Sequence, residues 1–115
     1  MALTLTMKRD VLQNVDDAAG RWQYEGGKVF SKEKHVAYYA STKRVIFMAT
    51  EAQNTAMLTV TLFFLPGKPP ETITLQGAHD FNSGNETGSV SAASNAYKST
   101  IGKQFSRVGD TLKIQ

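Results

Sequence analysis

The chain contains no cysteine. That excludes a disulfide framework and any thiolate metal site. Two histidines without a cysteine are also a poor ligand supply for a transition metal, so neither a metal nor a cofactor is expected. No window approaches the ~20 consecutive apolar residues of a membrane span, so none is expected. Charge of one sign is scarce too: 13 basic residues stand against 10 acidic ones, a net +3. The denser basic stretches, residues 28–34 and Lys43-Arg44, read as solvated strand ends and a turn, and no nucleic-acid partner is expected. The start, Met-Ala-Leu-Thr-Leu-Thr, has neither a basic n-region nor a long apolar h-region. The reading therefore expects no signal peptide and a cytoplasmic protein. Asn85-Glu86-Thr87 matches a glycosylation triplet, which without a secretory signal is accidental.

What is present is alternation. With 115 residues, the chain has the size of one domain, 1–115, able to bury its own core. Residues 2–9 alternate Leu3, Leu5 and Met7 against Thr4, Thr6 and Lys8, a half-buried strand. Residues 10–20 read as a loop with a turn of helix, because Val11, Leu12 and Val15 offer only a short apolar face before Asp16-Asp17 and Gly20. Strand texture resumes at Trp22 and Tyr24, with Gly26-Gly27 marking a turn, bulge or bend. Residues 35–47 are β-branched and aromatic, with 41–44 dividing them or lying at a wet edge. The strongest strand covers residues 56–65, with Leu58, Val60, Leu62 and Phe64 on one face. A Pro-Gly-Lys-Pro-Pro turn follows, and then Ile73 and Leu75 alternate with Thr72, Thr74 and Gln76, the second arm of an antiparallel hairpin. Residues 89–93 form a short strand, residues 96–104 a turn or loop, and residues 105–114 a strand bent at Gly109-Asp110. The sum is an all-β fold: a small antiparallel up-and-down barrel of about seven or eight strands, with little helix.

The C-terminal residues carry a family likeness. The segment from Ile73 to Gln115 holds "ITLQGAHDF", a strand of small residues, and "YKSTIGKQFSRVGDTLKIQ". It resembles the ending of the allene oxide cyclase and dirigent barrels, with Ile101-Gly102-Lys103-Gln104-Phe105 and Gly109 where that family has a Gly-rich motif and a Phe opening its final strand. The resemblance implies an eight-stranded barrel around an apolar cavity, often a trimer. It also implies chemistry ranging from fatty-acid epoxide cyclisation to guidance of phenoxyl-radical coupling. The family's catalytic carboxylate and Asn find no match in the N-terminal half, so none of its catalytic residues is carried over.

The residues themselves offer several candidate sites. His79-Asp80 could supply an acid or base near neutral pH. Adjacent residues on a strand face opposite ways, however, and a polar strand end entering a hairpin is the plainer reading. Asp80, Asn82, Gly84 and Glu86 echo the start of a calcium loop, but Asn85 stands where the loop needs Gly and Ser91 where it needs Glu. Trp22, Tyr24, His35, Tyr38 and Tyr39 could line a ligand cavity or form ordinary core, and at most one of the two adjacent tyrosines points inward. Glu51, Gln53 and Asn54, with Arg107, could hold a polar head group or polarise an epoxide at a barrel mouth. These residues allow three functions: a barrel that folds an apolar substrate for isomerisation or cyclisation, a non-catalytic ligand- or carbohydrate-binding module, or a structural oligomer. A homo-oligomer, dimer or trimer, is expected in each. The family resemblance tips the choice toward an enzyme acting on a small apolar ligand.

Overall fold

Alternating apolar residues on strands too short to be covered by helices leave one economical solution, a sheet closed on itself. The computed structural model, which describes residues 2–18, 20–45 and 55–115, adopts it. The strands are β1 (Leu3–Asp17), β2 (Gly20–Ser31), β3 (Lys34–Val45), β4 (Thr55–Phe64), β5 (Glu71–Asp80), β6 (Glu86–Ala93), β7 (Gln104–Val108) and β8 (Thr111–Ile114). Each pairs antiparallel with the next, and β8 returns to β1 through Leu3–Ile114 and Leu5–Leu112. A short 3-10 helix, Asn95–Thr100, links β6 to β7. The up-and-down barrel of eight strands is as the alternation indicates.

Three local readings differ. Residues 10–17 are not a helical turn; they continue β1 and pair with β2 as a long hairpin, Val15 opposite Trp22. Val11 and Val15 are four apart, a spacing that suits a helix face and a strand face alike, and pairing with Gly26 and Trp22 decides for the strand. Gly26-Gly27 does not interrupt β2. A Cβ on Gly27 would sit 2.0 Å from the Lys8 carbonyl oxygen, so glycine there admits the close approach of β1 beside its bulge between Arg9 and Val11. Residues 41–44 do not divide β3, which runs unbroken to Val45. Beyond residue 9 this sheet outgrows the barrel and projects, giving overall extents of 41 × 24 × 24 Å.

The barrel interior has two halves. The connections β2–β3, β4–β5 and β6–β7 lie at the lower end, and β1–β2, β3–β4, β5–β6 and β7–β8 at the upper end. The lower half is filled by Leu5, Met7, Val29, Leu62, Ile73 and Leu75, all buried, with Ala37 opposite bulky Phe64. Tyr97 of the 3-10 helix stacks on Phe64 at 4.3 Å and stoppers the lower end. Each such side chain contributes roughly 1.5–3 kcal/mol by leaving water. In the upper half the inward positions turn polar.

Candidate functional site

Strand parity builds the polar half. On β2, buried Val29 points inward, so Glu25 four residues earlier does too. On β3 the inward series is Ala37, Tyr39, Ser41 and Lys43. On β5 it is Ile73, Leu75, Gly77 and His79. Register then carries one row around the wall, His79–Glu86–Arg107–Leu112–Leu5. Five strands therefore aim ionisable side chains into one mouth.

The groups are joined. Arg107 Nη1 donates to Glu25 Oε2 at 2.9 Å and to Glu86 Oε1 at 3.3 Å. The Tyr39 hydroxyl donates to Glu25 Oε2 at 3.1 Å, beneath the Arg107 guanidinium, whose centre is 5.6 Å from the tyrosine ring. His79 Nδ1 is 3.0 Å from Glu86 Oε2. Arg9 reaches Glu25 Oε1 from the rim at 3.6 Å, and Lys43 Nζ stands 4.0 Å from Glu86 Oε2. Of the charged groups Glu86 is the most buried, its side chain 6% exposed. Arg107 Nε is buried with no hydrogen-bond partner among the described residues.

Burial and charge compete at each group. Burial pushes the Glu25 carboxyl up, but the Arg107 hydrogen bond and charge, the Tyr39 hydroxyl and Arg9 together hold it below the usual carboxylate range. Burial, reinforced by the Glu25 charge, raises the Tyr39 phenol to about 12, so it remains a donor at neutral pH. Burial opposes the Arg107 charge, and the Glu25 and Glu86 carboxylates outweigh it and raise its value. At Lys43 burial prevails over Glu86 and Glu25, and the ammonium is easier to deprotonate than a free lysine.

The sequence candidates separate. Tyr39 is inward and 3% exposed, while Tyr38 is outward and 46% exposed, as one inward tyrosine at most requires. His79 is inward. Its acidic partner is Glu86 across the strand pair rather than adjacent Asp80. Asp80 instead accepts from the Asn82 amide at 2.9 Å and holds the β5–β6 turn, with Phe81 edge-on to His79 at 4.8 Å. Glu86 is bound to Arg107 and His79, so the calcium-like spacing does not converge on one site, and no group of three metal-binding side chains exists among the described residues. Trp22 and Tyr24 belong to the outer face of the projecting hairpin, sharing it with Val15 and Gln13, because Gln23 and Glu25 take the inward parity. His35 packs at the lower end between Phe30 and Tyr38, at 5.4 and 4.6 Å. Glu51, Gln53 and Asn54 lie outside the described residues. Glu25, Lys43 and Glu86 were not singled out as members of such a site. The available signal was their parity with Val29, Tyr39 and Val90 on strands already legible.

A depression of about 530 Å³ lies on the barrel's outer wall, where Thr87, Ser89, Gln104, Ser106 and Lys113 line it. Thr87, Ser106 and Lys113 form the register row on the face opposite the Glu86–Arg107 row.

No family model and no curated protein matches the sequence. A solved structure of a pyocyanin demethylase is similar over 100% of this chain and 98% of that chain, with a TM-score of 0.79 and 12% sequence identity. The likeness to the allene oxide cyclase and dirigent barrels therefore holds at the level of a small β-barrel fold, which the chain shares with the demethylase.

Proposed function

We propose that this barrel binds a small molecule with an apolar body and one polar group at its upper mouth, and that His79 moves a proton on it in an isomerisation or cyclisation. The carrying observation is the inward row His79–Glu86–Arg107, closed by Glu25 and Tyr39. Taking ionised side chains out of water costs several kcal/mol each, which a barrel needing only a packed core has no reason to bear. Groups whose titration is perturbed by burial and specific partners gather at functional sites.

The chemistry follows from the contacts. A neutral His79 that donates Nδ1–H to Glu86 carries its lone pair on Nε2, the form that accepts a proton. The Arg107 charge stabilises negative charge that develops on a carbonyl oxygen when a neighbouring proton leaves. Half-exposed Phe81 and Leu12, on the inward side of the hairpin, supply apolar contact for the ligand body. The lower half is filled by side chains, so the ligand sits at the mouth and not deep inside. A barrel of the same fold bearing the name pyocyanin demethylase is compatible with chemistry on a small molecule, without assigning that reaction here.

The outer depression supports a second reading, a non-catalytic module that holds a polar molecule such as a carbohydrate among Thr87, Ser89, Gln104 and Lys113. Homo-oligomer formation is supported by the exposed outer apolar residues Val11, Val15, Tyr24 and Met57.

The test uses 1-tetralone, a neutral enolisable ketone, in deuterated buffer. Amide shifts at residues 79–86 and 25, with faster α-deuteration that His79→Gln abolishes, are expected. Shifts confined to residues 87–89 and 104–106 would sink the mouth reading in favour of the outer wall, and binding without deuteration would leave a binding module.

A further inference from the structure

The balance of charge in the mouth names the ligand's polar group. Two carboxylates, Glu25 and Glu86, are shared among three cations, Arg9, Lys43 and Arg107, among the described residues. The sharing is uneven. Arg107 donates a hydrogen bond to each carboxylate, Tyr39 and Arg9 add to Glu25, and His79 occupies Oε2 of Glu86. Lys43 receives what remains: its nearest carboxylate oxygen is 4.0 Å away, beyond a hydrogen bond, although its side chain is only 13% exposed. Its other neighbour is the Phe81 ring, with Nζ 5.9 Å from the centroid.

An ammonium held this way is costly. Lysine prefers to extend its head into bulk water, and a side chain only 13% exposed, with no hydrogen-bonded acceptor among the described residues, gives up part of that hydration. The direction of its titration agrees, since burial outweighs both carboxylates. A ligand anion would supply a hydrogen-bonded acceptor that the described residues do not, and the aromatic ring beside it would contact the ligand's apolar body.

We propose that the molecule bound at the mouth is an apolar carboxylate, most simply an aryl carboxylate, and that its charge is held by Lys43 with its body against Phe81. This rests on the mouth being the ligand site. Among the described residues, the groups that face Lys43 are Glu86, Glu25, Arg107 and Arg9, with Glu86 the nearest, and a carboxylate joining them favours the protonated amine. Arg107 acts on the ligand through its charge while its Nη1 donates to both of the protein's own carboxylates, which leaves Lys43 as the cation that takes a ligand carboxylate by direct contact.

A matched pair of probes tests this: 2-naphthoate and 2-naphthamide, which share a body and differ in charge. Amide spectra of the full chain follow each titration. Naphthoate is expected to bind at the mouth at least about 10-fold more tightly than naphthamide. The preference is expected to shrink between about 20 mM and about 0.5 M salt, to vanish in Lys43→Met and to survive in Lys43→Arg. The Lys43 side-chain resonance, followed against pH, is expected to titrate higher with naphthoate bound and to stay put with naphthamide. Equal affinity of the two probes at the mouth, or an undiminished preference in Lys43→Met, would overturn the carboxylate assignment while leaving the mouth as the site. Failure of both probes to move any mouth amide would remove the mouth reading as well.

Discussion

Glu25 is the residue on which the mouth turns. It accepts from Arg107 and Tyr39 and meets Arg9, so three strands other than its own converge on one carboxylate. Its depressed titration means the unfolded chain takes up a proton first as pH falls. The stability it contributes is therefore whole above the unfolded value near 4.5 and is lost as pH drops through the lower folded value. Tyr39 works in the opposite direction. Its proton is held to about 12 in the fold and to about 10.0 in the unfolded chain, so its contribution is whole below 10.0 and lost on rising to about 12. Two outcomes follow, read as urea midpoints against pH. Glu25→Gln should cost about 2–3 kcal/mol at pH 7, less than the ~3–5 of a fully buried pair because of its residual contact with solvent, and should flatten the acid arm. Tyr39→Phe should shrink the alkaline arm, leaving the part that Tyr97 contributes because burial raises its phenol too, and should leave the acid arm in place. An alkaline arm of unchanged size in Tyr39→Phe would place its origin elsewhere.

The β5–β6 pair aims the His79–Glu86 row, and its geometry hangs on backbone approach. Gly77 and Gly88 face each other one inward position below the His79–Glu86 pair. A Cβ on Gly88 would lie 2.1 Å from the Gln76 carbonyl oxygen, a backbone atom that cannot swing aside. Gly88→Ala should therefore cost about 1–3 kcal/mol through forced strand separation. It should also shift the His79 and Glu86 amide resonances, because the strain enters their ladder. Ser89→Ala, one position on and exposed, is the control and should stay within about 0.5 kcal/mol. A Gly88→Ala protein as stable as the control would refute the close packing of these two strands.

The molecule as a whole divides labour along its axis: the lower half supplies stability and the upper half the polar site. Leu62, fully buried and paired with Ile73 and Tyr39, sits at the centre of the packed half. Leu62→Ala should cost about 2–5 kcal/mol, the transfer of its methyl groups plus the cavity left behind. Met57 on the same strand has the opposite parity and is 79% exposed, and Met57→Ala should change stability by less than about 0.5 kcal/mol. Chemical denaturation of the two variants compares inward with outward directly. If both losses were equal, the inward assignment of the even residues of β4 would fail. Closure joins Leu3 to Ile114, nearly the full chain apart, so refolding is expected in the slow range of about milliseconds to seconds typical of non-local β topologies.

Alternation along residues 2–9, 56–65 and 71–78, with Pro-Gly and Gly-Asp turns between strands, was enough to specify an all-β barrel, because period-two burial is a local property of neighbouring residues. The single inward tyrosine followed from the same parity. The continuation of β1 through Asp10 to Asp17 was not legible, since a Val-x-x-x-Val spacing serves helix and strand equally until a partner strand is known. Nor was the site. Glu25 and Arg107 are 82 residues apart, and each is an ordinary strand residue in its own context. Only closure of the sheet, which sets the register of β6, β7 and β8 against β1, turns Glu86 and Arg107 into the same mouth as Glu25. Local sequence governs which way a side chain faces, and pairing between distant strands governs which side chains it meets.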